Sequence, residues 1–106
     1  MRASNAAPIF AALGDETRLH LVARLGREGP LSIAKLTERT SITRQAVAKH
    51  LRVLEGAGVV VGARDGRESV WELEPKRLED ARAHLESISR QWDDTLERLR
   101  AFVEDE

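Results

Sequence analysis

Arg44, Gln45, Lys49 and Arg52 fall on one side of a helical pattern whose other side carries Val47, Leu51 and Leu54 at i, i+4 and i+7. An arginine fork can bond two edges of a guanine, and a glutamine amide two edges of an adenine. Arg44 and Gln45 sit in the first helical turn, directly after Thr43, a residue type that caps helix N-termini. Lys49 and Arg52 lie further along and suit phosphate oxygens, which position a protein without reading sequence. An amphipathic helix with a merely solvated basic face has the same pattern, so the surroundings must decide. Ten residues on, Arg64 and Arg67 flank the dipeptide Asp65-Gly66, a type I′ hairpin signal. A two-residue turn there predicts the two arginines directly across from one another. Like charges so placed are destabilising, and a polyanion at the tip would relieve the cost.

Other chemistries find little to work with. The chain has no cysteine, which excludes disulfides, thiolate metal sites and thiol switches. Its three histidines, His20, His50 and His84, fall in three separate helical segments. Asp80 and His84 form an i, i+4 pair, short of the ligands that a zinc site needs. No nucleophile, base and orienting group can be assembled from local spacing, and no glycine loop cradles a phosphate. The expectation is a protein that is not an enzyme, with no cofactor and no resident metal.

The elements that must position the basic residues follow from caps, breakers and period. Pro8 to Leu13 reads as a short helix interrupted by Gly14. Asp15 caps a second helix with Leu19, Val22 and Leu25 inward, ended by Gly26 and Gly29-Pro30. Ser32 caps a short third helix with Ile33 and Leu36 inward. The polar turn Thr40 to Thr43 then leads into the fourth helix, closed by Gly56 and Gly58. From Val59 the period changes to alternation, with strands over Val59–Arg64 and Arg67–Leu73. Pro75 begins a last helical pattern running nearly to the end. These readings predict one mainly α domain over residues 1–106, a winged helix-turn-helix of about five helices and a two-stranded wing. Its helix-turn-helix falls at about 32–56, its wing at 59–73 and its last helix at 75–104.

The chain has 106 residues, 42% hydrophobic and 33% charged, enough for one modest core. Net charge is −1, but it is unevenly spread. Ser32 to Arg67 carries seven basic residues against three acidic, whereas Glu68 to Glu106 carries six basic against twelve acidic. A basic middle beside an acidic tail suits one phosphate-facing surface. No apolar run approaches a membrane span, and Met1 to Pro8 lacks a basic then apolar leader, so no membrane partner and a cytoplasmic location are expected.

Three blocks, ALGDETRLHLVARL (Ala12 to Leu25), QAVAKHLRVLEGAGVV (Gln45 to Val60) and ARDGRESVWEL (Ala63 to Leu73), resemble in order and spacing the ArsR-type winged-helix repressors. The resemblance implies that the recognition helix and wing bind double-stranded operator DNA and that an inducer releases repression. It also implies a homodimer paired through the first and last helices, which brings in Ile9 and Phe10. Ser41 stands where a glycine is frequent in the turn, and Thr37 where a small residue is usual. Metal-sensing members carry a cysteine pair before the recognition helix; this chain has Ser32-Ile33-Ala34-Lys35-Leu36. A second family metal site, on the last helix, is matched only by Asp80 and His84, with Gln91 and Asp94 beyond them.

The last helix adds its own signal. Leu78, Leu85, Trp92 and Leu99 are seven apart, and Ala81, Ile88, Thr95 and Phe102 form a second register. Such a sustained seam predicts pairing with a second copy. An unknown small-molecule effector would sit in a cleft between the last helix and the core, near Trp92. A winged helix that docks a protein in place of DNA is the alternative, and retention on a polyanion with steep salt dependence separates the two.

Overall fold

The structure, a computed structural model, describes residues 6–104, the side chain of Asp65 excepted. The leader expectation, which rests on Met1 to Pro8, therefore falls largely outside the described residues. The element order is α1 (Ala7–Leu13), α2 (Glu16–Glu28), β1 (Leu31–Ser32), α3 (Ile33–Glu38), α4 (Arg44–Gly56), β2 (Val60–Asp65), β3 (Glu68–Leu73) and α5 (Pro75–Glu104). This is a mainly α winged helix-turn-helix with a small antiparallel sheet.

Three helices start as their caps dictate. Asp15 accepts from the backbone N–H of Arg18, Ser32 from that of Lys35, and Thr43 from that of Ala46. Each satisfies one donor that the first helical turn leaves without a partner. The core lies between α1–α4 and the base of the sheet, where Ile9, Leu21, Leu36, Val47, Leu51, Leu54, Val59 and Val60 are fully buried. Each such side chain contributes roughly 1.5–3 kcal/mol on burial.

Several details differ from the expectation. Leu19 is 52% exposed, and α2 turns Leu21, Leu25 and the stem of Arg24 inward. At 100° per residue Leu19 and Leu21 point nearly opposite ways, and packing selects the register of Leu21. Gly26 does not end α2; the helix continues to Glu28, and Gly29 caps it at φ 83°. The chain also forms β1, which pairs with the middle strand β3 through Leu31↔Trp71 and Ser32↔Val70, so the sheet has three strands in the order β1-β3-β2. In the hairpin, Asp65 pairs with Glu68 and Arg64 with Ser69. The turn residues are thus Gly66 and Arg67, with positive φ only at the glycine. That is the glycine-first pattern of a type II′ turn, because a type I′ turn would force Arg67 into left-handed backbone.

Gly58 closes the link from α4 to β2 at φ 80°, and a Cβ there would stand 2.8 Å from the Arg77 side chain. Arg77 lies in the first turns of α5, so this close approach seats the helix on the body. Only Ala81 of α5 is buried, while Leu78 packs on the core and His84 lies against Phe10 with ring centroids 5.8 Å apart. Beyond that point Leu85, Trp92, Leu96, Leu99, Phe102 and Val103 are 54–69% exposed.

Candidate nucleic-acid interface

Helix α4 is amphipathic in the sense that the site requires. Val47, Leu51 and Leu54 anchor it with no exposed surface, and Arg44, Gln45, Lys49 and Arg52 are exposed on its outer side with Ala48 half-buried beside them. Among the described residues no ion pair engages Arg44, Lys49 or Arg52, so their charge is available to a ligand. Thr43 is exposed, and its hydroxyl oxygen accepts from Ala46 N–H at 3.1 Å. The hydroxyl proton remains free to donate outward.

The brace behind this helix is a buried arginine that the sequence expectations did not include. Arg24 is 3% exposed, and its Nη1 donates to the carbonyls of Lys35 (3.2 Å) and Leu36 (3.1 Å). These lie near the end of α3, among carbonyls that its last turn leaves unpaired. Arg24 Nε donates to Glu28 one turn on, at 3.2 Å, and this bond holds the Glu28 carboxyl below its usual range. Thr40 Oγ1 donates to the carbonyl of Thr37 at 3.0 Å and lies 3.3 Å from that of Ile42, tightening the α3–α4 turn. The sequence signal for Arg24 is an arginine in the inward phase of α2 with a glutamate at i+4.

A second cluster ties α2 to α4. Arg18 Nη1 lies 3.2 Å from His50 Nδ1, and the Asp15 carboxylate lies 3.9 Å from the same nitrogen. The Asp15 carboxyl is held below its ordinary value, first by the backbone N–H of Arg18, then by the charge of Arg18.

In the wing, Arg64 and Arg67 are both exposed, but they do not face one another. Arg64 stands across from Ser69 and Arg67 sits in the turn, so the like-charge argument for a polyanion at the tip does not hold. The two arginines still lie beside one tip.

The remaining expected positions are scattered. Ile9 is fully buried in the chain's own core, which leaves no side-chain surface for a partner. Phe10, Leu78 and Ile88 are half-buried; Leu85, Trp92, Leu99 and Phe102 are exposed. Among the described residues, the hollow at Trp92, about 300 Å³, is lined by Gln91, Trp92 and Thr95, all of α5, with no residue of the core. A groove of about 230 Å³ lies instead between the start of α2 and the α3–α4 turn, lined by Glu16, His20 and Arg39 among others. Asp80 lies 3.9 Å from Arg77, and among the described residues no three His, Asp or Glu side chains converge as metal ligands. No helix of the described residues is long and apolar enough to cross a membrane.

Comparison with known proteins agrees with this geometry. Residues 13–62 match a family profile described as a helix-turn-helix domain. The chain is 34% identical over 97 residues to the HTH-type transcriptional regulator Rv2034 of Mycobacterium tuberculosis, spanning 92% of this chain and 87% of that protein. It is 30% identical over 91 residues to the HTH-type transcriptional repressor SmtB of the same species, spanning 86% and 65%. Among solved structures it resembles an ArsR-like transcriptional regulator from Rhodococcus sp. RHA1, with a TM-score of 0.77, 35% identity, and coverage of 93% and 92%. With a buried inner face on α4, a basic outer face and a wing beside it, and with relatives alike over nearly the whole chain, the protein belongs to the ArsR family of DNA-binding helix-turn-helix transcriptional regulators and is not an enzyme.

Proposed function

We propose that the chain is a homodimeric, cytoplasmic repressor that binds an inverted-repeat operator. The observation that carries this reading is the two-sidedness of α4: three inner side chains with no exposed surface, and four outer side chains suited to bases and phosphates. Arg44 and Gln45, in the first turn, read base edges. Thr43, Lys49 and Arg52 hold phosphates on the same duplex, and Arg64 and Arg67 hold phosphates from the wing. Repression follows from occupancy of the operator, and the SmtB relative carries the name of a repressor.

Dimerisation is supported by the exposed apolar stripe of α5, which its own domain leaves uncovered. Pairing sets two recognition helices about 34 Å apart on one face of the duplex, and a two-fold dimer reads a two-fold site. Binding is indifferent to metals and thiol oxidants, since the chain has no cysteine and soft ions need thiolates.

The test is to recover duplex fragments retained by the purified protein, sequence them, and titrate the recovered site against salt. An inverted repeat with a steep loss of affinity on added salt is the expected result. Retention that ignores sequence and salt would remove DNA as the partner and leave the protein-docking alternative.

A further inference from the structure

One arginine joins three helices at a point directly behind the recognition helix. Arg18 Nε donates to the carbonyl of Ala12 at the end of α1 (2.5 Å), its backbone N–H donates to Asp15 Oδ2 at the cap of α2 (3.0 Å), and Nη1 meets His50 Nδ1 of α4 (3.2 Å). A guanidinium only donates. Nδ1 of His50 must therefore accept, and the ring proton sits on Nε2. Asp15 Oδ2 stands 3.9 Å from the same Nδ1, too far for a hydrogen bond. The groups facing the ring are thus one donor in contact and one carboxylate just out of reach, both from α2. Helix α1 has no titratable side chain. Lys35 and Glu38 of α3 and Arg64 of β2 are exposed and make no hydrogen bond or ion pair with the ring, and on α4 itself Lys49 and Arg52 are exposed.

The geometry points to Arg18 and His50 as positioning residues that set the seat of the recognition helix, with protonation of His50 releasing it. The inference rests on the reading of α4 as the base-reading helix. A protonated ring cannot accept from Arg18 and sets a second cation 3.2 Å from it. Its new Nδ1–H bonds Asp15 only if the 3.9 Å separation closes toward about 3 Å. Base-reading side chains must be held to within about 0.5 Å, so a shift of this size spoils base contacts. Phosphate attraction, set by charge, persists. Sequence discrimination therefore falls with acidity while general DNA affinity does not. Histidine is the side chain whose charge changes between about pH 5 and 8.

The experiment measures the ratio of affinities for the recovered operator fragment and an unrelated duplex of equal length, at fixed ionic strength, at about pH 8 and about pH 5.5. The wild-type ratio is expected to fall about tenfold, on the scale of one lost base contact. His50→Gln keeps an acceptor for Arg18 at every pH and should hold the ratio constant. His20→Gln and His84→Gln should keep the wild-type fall. Ring 15N chemical shifts of the DNA-free wild-type protein should report the Nε2–H form of His50 at the higher pH, a readout needing no variant and no DNA. A wild-type ratio that does not change with pH, a His50→Gln ratio that falls as the wild type does, or an Nδ1–H form at the higher pH would overturn the proposal. Absence of any sequence preference even at the higher pH would bring down the base-reading assignment itself, and this inference with it.

Discussion

Gln45 and Lys49 are four residues apart on one helix face, both exposed, yet their chemistry separates their roles. An amide that pairs with an adenine edge discriminates between bases, so Gln45→Ala should cost about 1–3 kcal/mol on the operator and almost nothing on unrelated DNA. Lys49→Ala should weaken both alike and reduce the salt slope by about one. Unchanged preference among operator variants in Gln45→Ala would remove Gln45 from base reading. Behind them, Arg24 works by satisfying carbonyls. Arg24→Met keeps most of the apolar stem but strands the carbonyls of Lys35 and Leu36, and should lower stability by about 2–3 kcal/mol at an unchanged urea m-value. Its partner Glu28 gives a pH signature. Because the folded state holds this carboxyl below its ordinary value of 4.5, its contribution is present above that value and is lost as the pH falls from it through the depressed one. Glu28→Gln should therefore flatten the acid side of the stability profile, measured by thermal unfolding from neutral pH downward.

Elements differ in how far the sequence alone reveals them. Helix α4 was legible in full: a threonine cap, apolar positions at i, i+4 and i+7, and basic residues between them admit one phase only. The existence of α5 was legible for the same reason, over thirty residues of sustained period. Strand β1 was not, because two residues carry no period and its pairing depends on β3 from far along the chain. In α2 two apolar registers share Leu25, and only packing chooses between Leu19 and Leu21. The wing was placed correctly but its turn slipped by one residue, since Asp65-Gly66 and Gly66-Arg67 are both two-residue loops and one backbone sign at Asp65 separates them. That slip changes what the wing predicts. With Arg64 opposite Ser69, the double variant Arg64→Ala, Arg67→Ala relieves no facing pair and should leave thermal stability within about 0.5 kcal/mol. It should still reduce the salt slope of DNA binding by about two if both arginines hold phosphates. An unchanged slope would take the wing off the DNA. Gly66→Ala, by contrast, forces a side chain onto φ 67° and should destabilise by about 1–2 kcal/mol.

The whole molecule is longer than a compact domain of its size. Its radius of gyration is 18.2 Å and its longest extent 67 Å, against roughly 13 Å for a compact chain of about 100 residues. The excess is α5, which spans about 45 Å by its rise per residue and touches its own body only near its start. An absent thiol is likewise a property of the entire chain, and operator affinity should stay within about twofold on adding zinc, cadmium, arsenite, peroxide or chelator. A reproducible change with a metal, abolished by Asp80→Ala or His84→Ala, would revive a site on α5. The exposed stripe on that helix carries the remaining prediction. Leu85, Trp92, Leu96, Leu99, Phe102 and Val103 are each more than half exposed, a run of apolar surface that association would bury. Light scattering at micromolar concentration should give twice the chain mass. Since Leu96 and Leu99 are absent from the chain's own core, placing charge there should separate the copies without unfolding either one. The variant Leu96→Glu, Leu99→Glu should therefore keep the helical circular dichroism of the folded body and scatter as a monomer. It should also bind an isolated half-site as the wild type does, and lose the gain that the wild type makes on two half-sites with centres about 34 Å apart. A wild-type monomer, or a charged variant that remains a dimer, would move the interface off α5; a dimeric wild type with no gain from the second half-site would leave α5 paired but the two recognition helices out of register with the duplex.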